Sequence, residues 1–304
     1  MNSKINLTLL FIFLSVISYS QKPEKLLNAA YKNDEKKVYY LLKGGANVNA
    51  QDYNGVTPLM YAVDNNNVYL CKLMISFGAD VNKVPDNKIT ALHSAVSNNN
   101  PEITELLLKN NAKPDLIDKN ENTPLMLAAA YGYPLTAAYL CEYGANTSYR
   151  NYFGTDAAMI AAWYNDTEIL QVLWDYYADL ESADNQGFTP LVISAQQGNL
   201  SAVKFLTEKN VNTETVTFEN LNAFDYALLN SNTDAAKYLL SINPKLNHKI
   251  NDKISSEDIA LFNNIFSEIF PDKKIDSNEL NNKKSKLKKK YFNFAKKNIP
   301  LEIF

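Results

Sequence analysis

Side chains that could carry out chemistry are few in this chain of 304 residues. Its only histidines are His93 and His248, and its only cysteines are Cys71 and Cys141. Their spacing does not match that of zinc ligands, and the sequence contains no glycine-rich phosphate-binding loop. Nothing in the order of the residues points to a Ser-His-Asp site. The sequence therefore predicts no catalytic residue, no cofactor site and no metal site.

A fixed spacing of 33 residues organises most of the chain. Short polar side chains recur at this interval, at Thr57, Thr90, Thr123, Asp156, Thr189 and Asn222. Each can accept a hydrogen bond from a free N–H group at the start of a helix, and proline follows three of them at the first helical position. A period of this length predicts a stack of repeated supersecondary units.

The pattern within each unit predicts two helices. The first is small and apolar, as at Leu125 and Ala128, so a neighbour can approach closely. In the second, apolar residues recur at helical spacing, as at Ile103 and Leu107. The second helix ends at residues that tolerate the left-handed conformation, namely Gly45, Gly78, Asn111, Gly144, Asn210 and Asn243. Tyr177 holds that place in the fifth unit, where we expect a locally altered turn.

These units resemble the ankyrin repeat. The resemblance rests on Thr57-Pro-Leu-Met-Tyr-Ala, Thr90-Ala-Leu-His-Ser-Ala and Thr123-Pro-Leu-Met-Leu-Ala, and on closings such as Gly45-Ala-Asn-Val-Asn. It covers seven units, at about 24–56, 57–89, 90–122, 123–155, 156–188, 189–221 and 222–250. It implies an all-α solenoid of helix–turn–helix units joined by β-hairpin-like loops.

The resemblance implies a structural role for His93, and helix geometry does so for the cysteines. His93 occupies the histidine position of the family's Thr-x-x-His pattern, which implies a hydrogen bond within the turn. Cys71 and Cys141 fall on second helices two repeats apart, or about 20 Å at the usual spacing of packed helices. A disulfide needs Cα atoms within about 7 Å. We therefore predict that both cysteines are free core residues.

Residues 1–20 have the composition of a secretory signal peptide. Lys4 supplies the positive start, Ile5–Ile17 the apolar core, and Ser18 and Ser20 small residues ahead of Gln21. The alternative is an uncleaved membrane anchor, but the apolar segment is short for a membrane span. We therefore expect an exported, soluble protein, periplasmic or secreted, with cleavage near Ser20.

The segment after the repeats, 251–304, leaves the period. Ser255–Asp258 has the form of a capping box, and the apolar spacing from Ile259 to Ile269 predicts a helix that covers the last repeat. Lys273–Lys297 contains ten lysines and two acids, a local charge of +8. Because the net charge of the whole chain is −3, the rest of the chain has a charge of −11. We interpret it as a solvated, partly helical tail. The alternative is contact with an anionic partner or membrane surface.

The partner-binding surface is predicted from the family pattern. In ankyrin-like stacks, the loop before each helix pair and the exposed side of the first helix form a concave face. Aromatic residues at these positions concentrate in the fourth and fifth units, within a rim of polar residues such as Asn65 and Asn98, as in an interface hot spot. The candidate partner-binding residues are Tyr53, Tyr131, Tyr152, Phe153, Trp163, Tyr164, Phe188 and Phe218.

The sequence thus predicts a non-enzymatic protein–protein interaction module, which we expect to be monomeric and to bind a protein of unknown identity. Two alternatives stay open: binding of an anionic partner or membrane through the lysine-rich tail, and a role as accessory subunit of a periplasmic enzyme. The segment after the repeats is short for an independent fold. The signal peptide and the acidic repeats argue against nucleic acid as a partner.

Overall fold

The computed structural model describes residues 23–249. In this range the chain is all-helical and has no β-strand, which confirms the predicted fold class. The fourteen α-helices are α1 (Pro23–Tyr31), α2 (Glu35–Lys43), α3 (Pro58–Asp64), α4 (Val68–Ser76), α5 (Ala91–Ser97), α6 (Pro101–Lys109), α7 (Pro124–Tyr131), α8 (Pro134–Glu142), α9 (Ala157–Trp163), α10 (Thr167–Asp175), α11 (Pro190–Gln197), α12 (Leu200–Glu208), α13 (Ala223–Leu229) and α14 (Thr233–Ile242). A 3-10 helix, Pro244–Lys249, follows.

The chain divides into two compact units, residues 1–146 and 147–304. From here on they are called the first unit and the second unit, and the helix pairs of the 33-residue period are called repeats. The predicted signal peptide, the predicted helix after Ser255 and the lysine-rich tail lie outside the described residues. No helix between residues 23 and 249 is long and apolar enough to cross a membrane.

The first helices from α3 onwards begin at the polar residues that the 33-residue spacing predicted. Thr57 Oγ1 accepts a hydrogen bond from the backbone N–H of Met60 at 3.3 Å, and Asp156 Oδ1 accepts one from Met159 at 2.9 Å. The same role falls to Thr90, Thr123, Thr189 and Asn222. Each cap satisfies an N–H group that has no partner within its helix. The N-cap prediction is therefore confirmed.

The core of each unit lies between the helices of successive repeats. In the first unit, α3 packs against α1 and α5, while α4 packs against α2 and α6. In the second unit, α11 lies between α9 and α13. Alanine is fully buried at the same place in most first helices, as at Ala62, Ala95 and Ala161, where its small size allows the close approach that the sequence predicted.

The turns after the second helices correct one expectation. Tyr177 adopts φ +61° and its N–H donates to the Trp174 carbonyl at 3.0 Å. The glycine at the equivalent place in the first repeat, Gly45, has φ +83° and makes the matching bond to Leu42 at 3.0 Å. The expected alteration of the turn at Tyr177 is therefore wrong. The backbone keeps the common geometry, and the tyrosine adopts a conformation that strains any residue with a Cβ.

Asn243 is the residue that departs from the pattern. It has φ −136° and ψ 88°, whereas Asn111 and Asn210 at equivalent places have φ +65° and +62°. Pro244 follows Asn243, and the ring of a proline forces the preceding residue into extended backbone. The left-handed turn predicted at the end of the seventh repeat is therefore wrong for a local steric reason.

Asparagine side chains connect successive repeats. Asn65 Nδ2 donates to the Ala30 carbonyl at 3.0 Å, and Asn98 Nδ2 donates to the Val63 carbonyl at 3.2 Å. Asn199 makes the same kind of connection in the second unit. These asparagines bind the ends of preceding first helices, so the interpretation of Asn65 and Asn98 as a polar rim for a partner omitted their structural role.

Candidate protein-binding face

A single side-chain oxygen organises each well-formed loop tip. Asp184 Oδ1 accepts hydrogen bonds from the backbone N–H groups of Gln186 and Phe188, both at 2.8 Å. Burial raises the pKa of the Asp184 carboxyl, and the bonds from the backbone oppose this effect. The Asp184 N–H donates to the Phe188 carbonyl at 3.0 Å and closes a hairpin-like loop. The equivalent oxygens belong to Asp52, Asp118 and Asn151.

In the second unit, neighbouring tips are hydrogen-bonded to each other. The Asn185 N–H donates to the Phe153 carbonyl at 3.3 Å, and the Asn185 side chain donates to the Tyr152 carbonyl at 3.0 Å. The Phe218 N–H donates to the Gln186 carbonyl at 3.0 Å. The tips at 151–155, 184–188 and 217–221 therefore form one connected row.

Four of the eight predicted binding residues are exposed. Tyr53 in the first unit is 92 % exposed. In the second unit, Tyr152 is 74 %, Phe218 81 % and Tyr164 46 % exposed. Tyr152 and Phe218 lie on the connected row of tips, and Tyr164 follows the end of α9. These four aromatic side chains are exposed to solvent and are not part of the core.

The other four predicted residues are half-buried. Phe188 lies against Tyr226 of the next repeat, with ring centroids 4.9 Å apart. Tyr131 stacks on Tyr133 at 5.7 Å, in the first unit. Phe153 meets the ring of Tyr152 edge-on at 5.5 Å. The remaining member, Trp163, is half-buried at the end of α9. Phe188 thus contributes to the packing between two repeats as well as to the surface.

In the first unit, a side-chain hydrogen bond of Asp52 holds the loop tip that carries the exposed Tyr53. The hydroxyl of Tyr61 on α3 donates to Asp52 Oδ2 at 2.6 Å, and this bond raises the pKa of Tyr61 to about 12. Burial acts to raise the pKa of Asp52, but the hydrogen bonds from Tyr61 and from the loop backbone outweigh it and lower that pKa. The loop tip that carries Tyr53 is therefore tied to the first helix that follows it.

His93 has the structural role that the sequence predicted. Its Nδ1 lies 2.8 Å from Thr90 Oγ1 and accepts from the Thr90 N–H at 3.3 Å, while Nε2 lies 3.3 Å from the Asn122 carbonyl. The Thr90 N–H requires Nδ1 to be an acceptor, so Nε2 carries the proton. Burial lowers the pKa of this fully buried imidazole.

Both cysteines are free and buried, as predicted. Burial raises the pKa of the Cys71 and Cys141 thiols to about 12 in each case. Because the thiolate is the reactive form of cysteine, neither side chain is suited to nucleophilic chemistry. Among residues 23–249, no group of three or more His, Cys, Asp or Glu side chains is arranged to hold a metal ion.

Helix–turn–helix units with a 33-residue period, capped first helices and hydrogen-bonded loop tips define a class of repeat protein. The sequence matches a family model described as ankyrin repeats over residues 26–118, 110–184 and 158–252. These overlapping matches cover most of the chain, which therefore belongs to the ankyrin repeat family. Ankyrin repeats are protein–protein interaction modules.

One solved structure illustrates the likeness. The ankyrin repeat domain of Bcl-3, described as a unique member of the IkappaB protein family, has a TM-score of 0.59 and 25 % sequence identity to this chain. The similarity covers 62 % of this chain and 87 % of that one. A comparison with curated proteins gives no significant match.

Proposed function

We propose that this chain is an exported, non-enzymatic module that binds a protein partner through its loop tips and first-helix ends, with Tyr152, Tyr164 and Phe218 as the main anchors. The observation that carries the proposal is the exposure of these three side chains in the second unit. Tyrosine and phenylalanine on a monomer surface supply the large, rigid contact area that interface hot spots use.

The hydrogen-bonded tips limit the entropy that binding would cost. Asn185 ties the tip of Tyr152 to the next tip, and the Phe218 N–H continues the row. A preorganised surface gives up less conformational freedom on association than a flexible loop does. The tip aromatics are therefore displayed in advance of binding.

Area bookkeeping indicates that the three anchors act together. A buried aromatic side chain covers about 150–250 Å², which at about 25 cal/mol per Å² is a gross gain of roughly 4–6 kcal/mol. Association costs about 4–15 kcal/mol before any contact is counted. The three anchors are 74, 46 and 81 % exposed, so together they offer about two full rings, or roughly 8–12 kcal/mol. This gain is of the same size as the cost, whereas that of a single ring lies at its lower end, so the anchors must act together.

The test compares two variants of the full chain. Tyr152→Ala, Tyr164→Ala and Phe218→Ala together should abolish retention of a specific protein from the exported fraction of the source cells. The control carries Tyr40→Ala and Tyr69→Ala, which remove exposed tyrosines from the second helices α2 and α4. Because all five side chains are exposed, both variants should keep the helical circular dichroism of the parent. Equal retention of the same proteins by both variants would overturn the proposal.

A photocrosslinking residue identifies the contact directly. Placed at Tyr152, it should form a covalent adduct with the retained protein, and at Tyr69 it should not. An adduct of the same protein from both positions would mean that the tip aromatics do not determine binding.

Export is supported by the composition of residues 1–20. Sequencing the amino terminus of the native protein should give a chain that begins near Gln21. A chain that retains Met1 and sediments with membranes would support the anchor alternative instead.

A further inference from the structure

The fifth repeat carries a second exposed aromatic surface, on its second helix rather than on a loop tip. Trp174 on α10, and Tyr176 and Tyr177 in the turn that follows, are all exposed. We name these three residues the outer aromatic patch. Tyr177 is 95 % exposed and holds a left-handed backbone conformation for which the first four repeats and the sixth use glycine or asparagine. Strained, exposed residues of this kind concentrate at functional positions.

Exposed carboxylates accompany the outer aromatic patch on the same helix and turn. The stretch 151–203 contains seven carboxylates, of which four are exposed, and it contains no lysine or arginine, whereas Lys209 of the next repeat adds one cation beside the patch. Glu168, Asp175 and Asp179, which lie on α10 or just after its turn, are exposed. Aromatic faces and carboxylates both attract cations, the former through the ring quadrupole and the latter through Coulomb attraction. The chemistry of this surface therefore fits a lysine-rich polypeptide.

One lysine of the repeats already occupies such an environment. The Lys209 ammonium lies 5.2 Å from the ring centroid of Trp174 and 5.1 Å from that of Phe205. Both distances are within the range of cation–π attraction. The edge of the outer aromatic patch thus has one lysine ammonium within reach of two rings.

We propose that the outer aromatic patch, with Glu168, Asp175 and Asp179, binds the lysine-rich segment Lys273–Lys297 of the same chain. The charges are complementary, because that segment carries ten lysines against two acids. The reach is sufficient, because the 23 residues from 250 to 272 span up to about 75 Å when extended, and two repeats at the usual helix spacing cover about 20 Å. A tethered segment acts at an effective concentration on the order of millimolar, so weak cation–π and ionic contacts are enough to hold it.

This inference is independent of the proposed partner-binding role of the loop tips. The lysine-rich segment would bind to a surface of its own chain that carries exposed carboxylates. An external anionic partner or a second copy of the chain would then compete with the outer aromatic patch for the same lysines.

The test uses the full mature chain with a photocrosslinking residue at Tyr177, where one exposed aromatic replaces another. At low salt, mass spectrometry should map adducts to peptides between Lys273 and Lys297, on a product with the mass of one chain. The same residue at Tyr69, an exposed tyrosine of α4, should give no adduct with that segment. At 0.5 M salt the Debye length falls below roughly 5 Å, and the adduct at Tyr177 should decrease to the level seen at Tyr69.

Charge variants provide the matched control. Glu168→Gln, Asp175→Asn and Asp179→Asn together should remove the adduct while they preserve side-chain shape. Asp86→Asn, Glu102→Gln and Glu142→Gln remove the same charge from exposed positions of the first unit and should leave the adduct unchanged. The inference is overturned if the two triple variants give equal yields, if the adduct survives high salt, or if it forms only between two chains.

Discussion

The side-chain amide of Asn185 donates a hydrogen bond to the main-chain carbonyl of Tyr152 at 3.0 Å. The bond links two loop tips that lie 33 residues apart in sequence and places the ring of Tyr152 on a supported backbone. The same contact leaves no room beside Gly154, since a Cβ built there would lie 2.6 Å from Asn185 Oδ1 and 2.7 Å from its backbone nitrogen. The presentation of the tip aromatics thus depends on a glycine that touches the next repeat.

Gly154→Ala should therefore destabilise the fold and loosen the tip. Gly154 has φ +79° and no space for a methyl group, so alanine meets both backbone strain and a clash, at a combined cost of about 2–4 kcal/mol. Gly144→Ala is the control, because Gly144 has φ +84° but no atom within 4 Å of the added Cβ. It should cost only the backbone penalty of about 1–2 kcal/mol. Urea unfolding of both variants measures the difference, and equal losses would show that the contact with Asn185 adjusts freely.

Tyr177→Gly should stabilise the protein. Glycine adopts the left-handed conformation without the penalty of about 1–2 kcal/mol that a Cβ brings, and the exposed tyrosine ring loses little packing when it is removed. Tyr177→Ala keeps the backbone penalty and should leave the free energy of unfolding close to that of the parent. If the alanine variant is as stable as the glycine variant, the backbone at residue 177 is not strained.

Local rules allowed much of the fold to be predicted from sequence. An N-cap such as Thr57 needs only its own side chain and an N–H group three residues later, and the same holds for the hydrogen bond between Thr90 and His93. Asn243 followed a local rule as well, since its conformation is set by Pro244, and the sequence contained that information. The periodicity predicted which helix faces are buried, because each repeat packs against a neighbouring repeat of the same kind.

The features that sequence did not predict depend on partners one repeat or more away. Asn65 and Asn98 donate to carbonyls 35 residues earlier, and Phe188 meets Tyr226 38 residues later. A one-dimensional pattern gives no pairwise information across a repeat boundary, so the half-buried state of Phe188 was not visible. The outer aromatic patch was also missed, although Tyr177 at a glycine position was a signal for it.

Asn199→Ala should weaken the junction between the fifth and sixth repeats. The Asn199 side chain donates to the carbonyls of Ala162 and Trp163, at 2.9 and 2.6 Å. Removing the donor takes one hydrogen bond from each carbonyl, although the Ala162 carbonyl still accepts from the Asn165 N–H at 3.4 Å. At about 0.5–1.5 kcal/mol for each bond, the loss is roughly 1–3 kcal/mol. Asn230→Ala is the matched control, because the Asn230 side chain donates within its own repeat, to the Tyr226 carbonyl at 2.8 Å.

Denaturant unfolding distinguishes the two asparagines. The loss for Asn199→Ala should exceed that for Asn230→Ala, because stability in a repeat array depends on the interfaces between neighbours. A loss at Asn230 equal to that at Asn199 would indicate that the bonds between repeats have no special weight in this protein.

Acidification should destabilise the third repeat through His93. Burial lowers the pKa of His93 below its ordinary value of 6.5 in the folded chain. Between that lowered pKa and about 6.5, the unfolded chain takes up a proton that the folded chain does not, so the free energy of unfolding decreases as the pH falls through this window. Protonation of Nδ1 would also remove the acceptor of the Thr90 N–H. A proton NMR titration of the His248→Gln variant, in which His93 is the only histidine, should give a midpoint below 6.5. A midpoint at or above 6.5 in the folded protein would contradict the neutral, Nε2-protonated imidazole that the hydrogen bonds require.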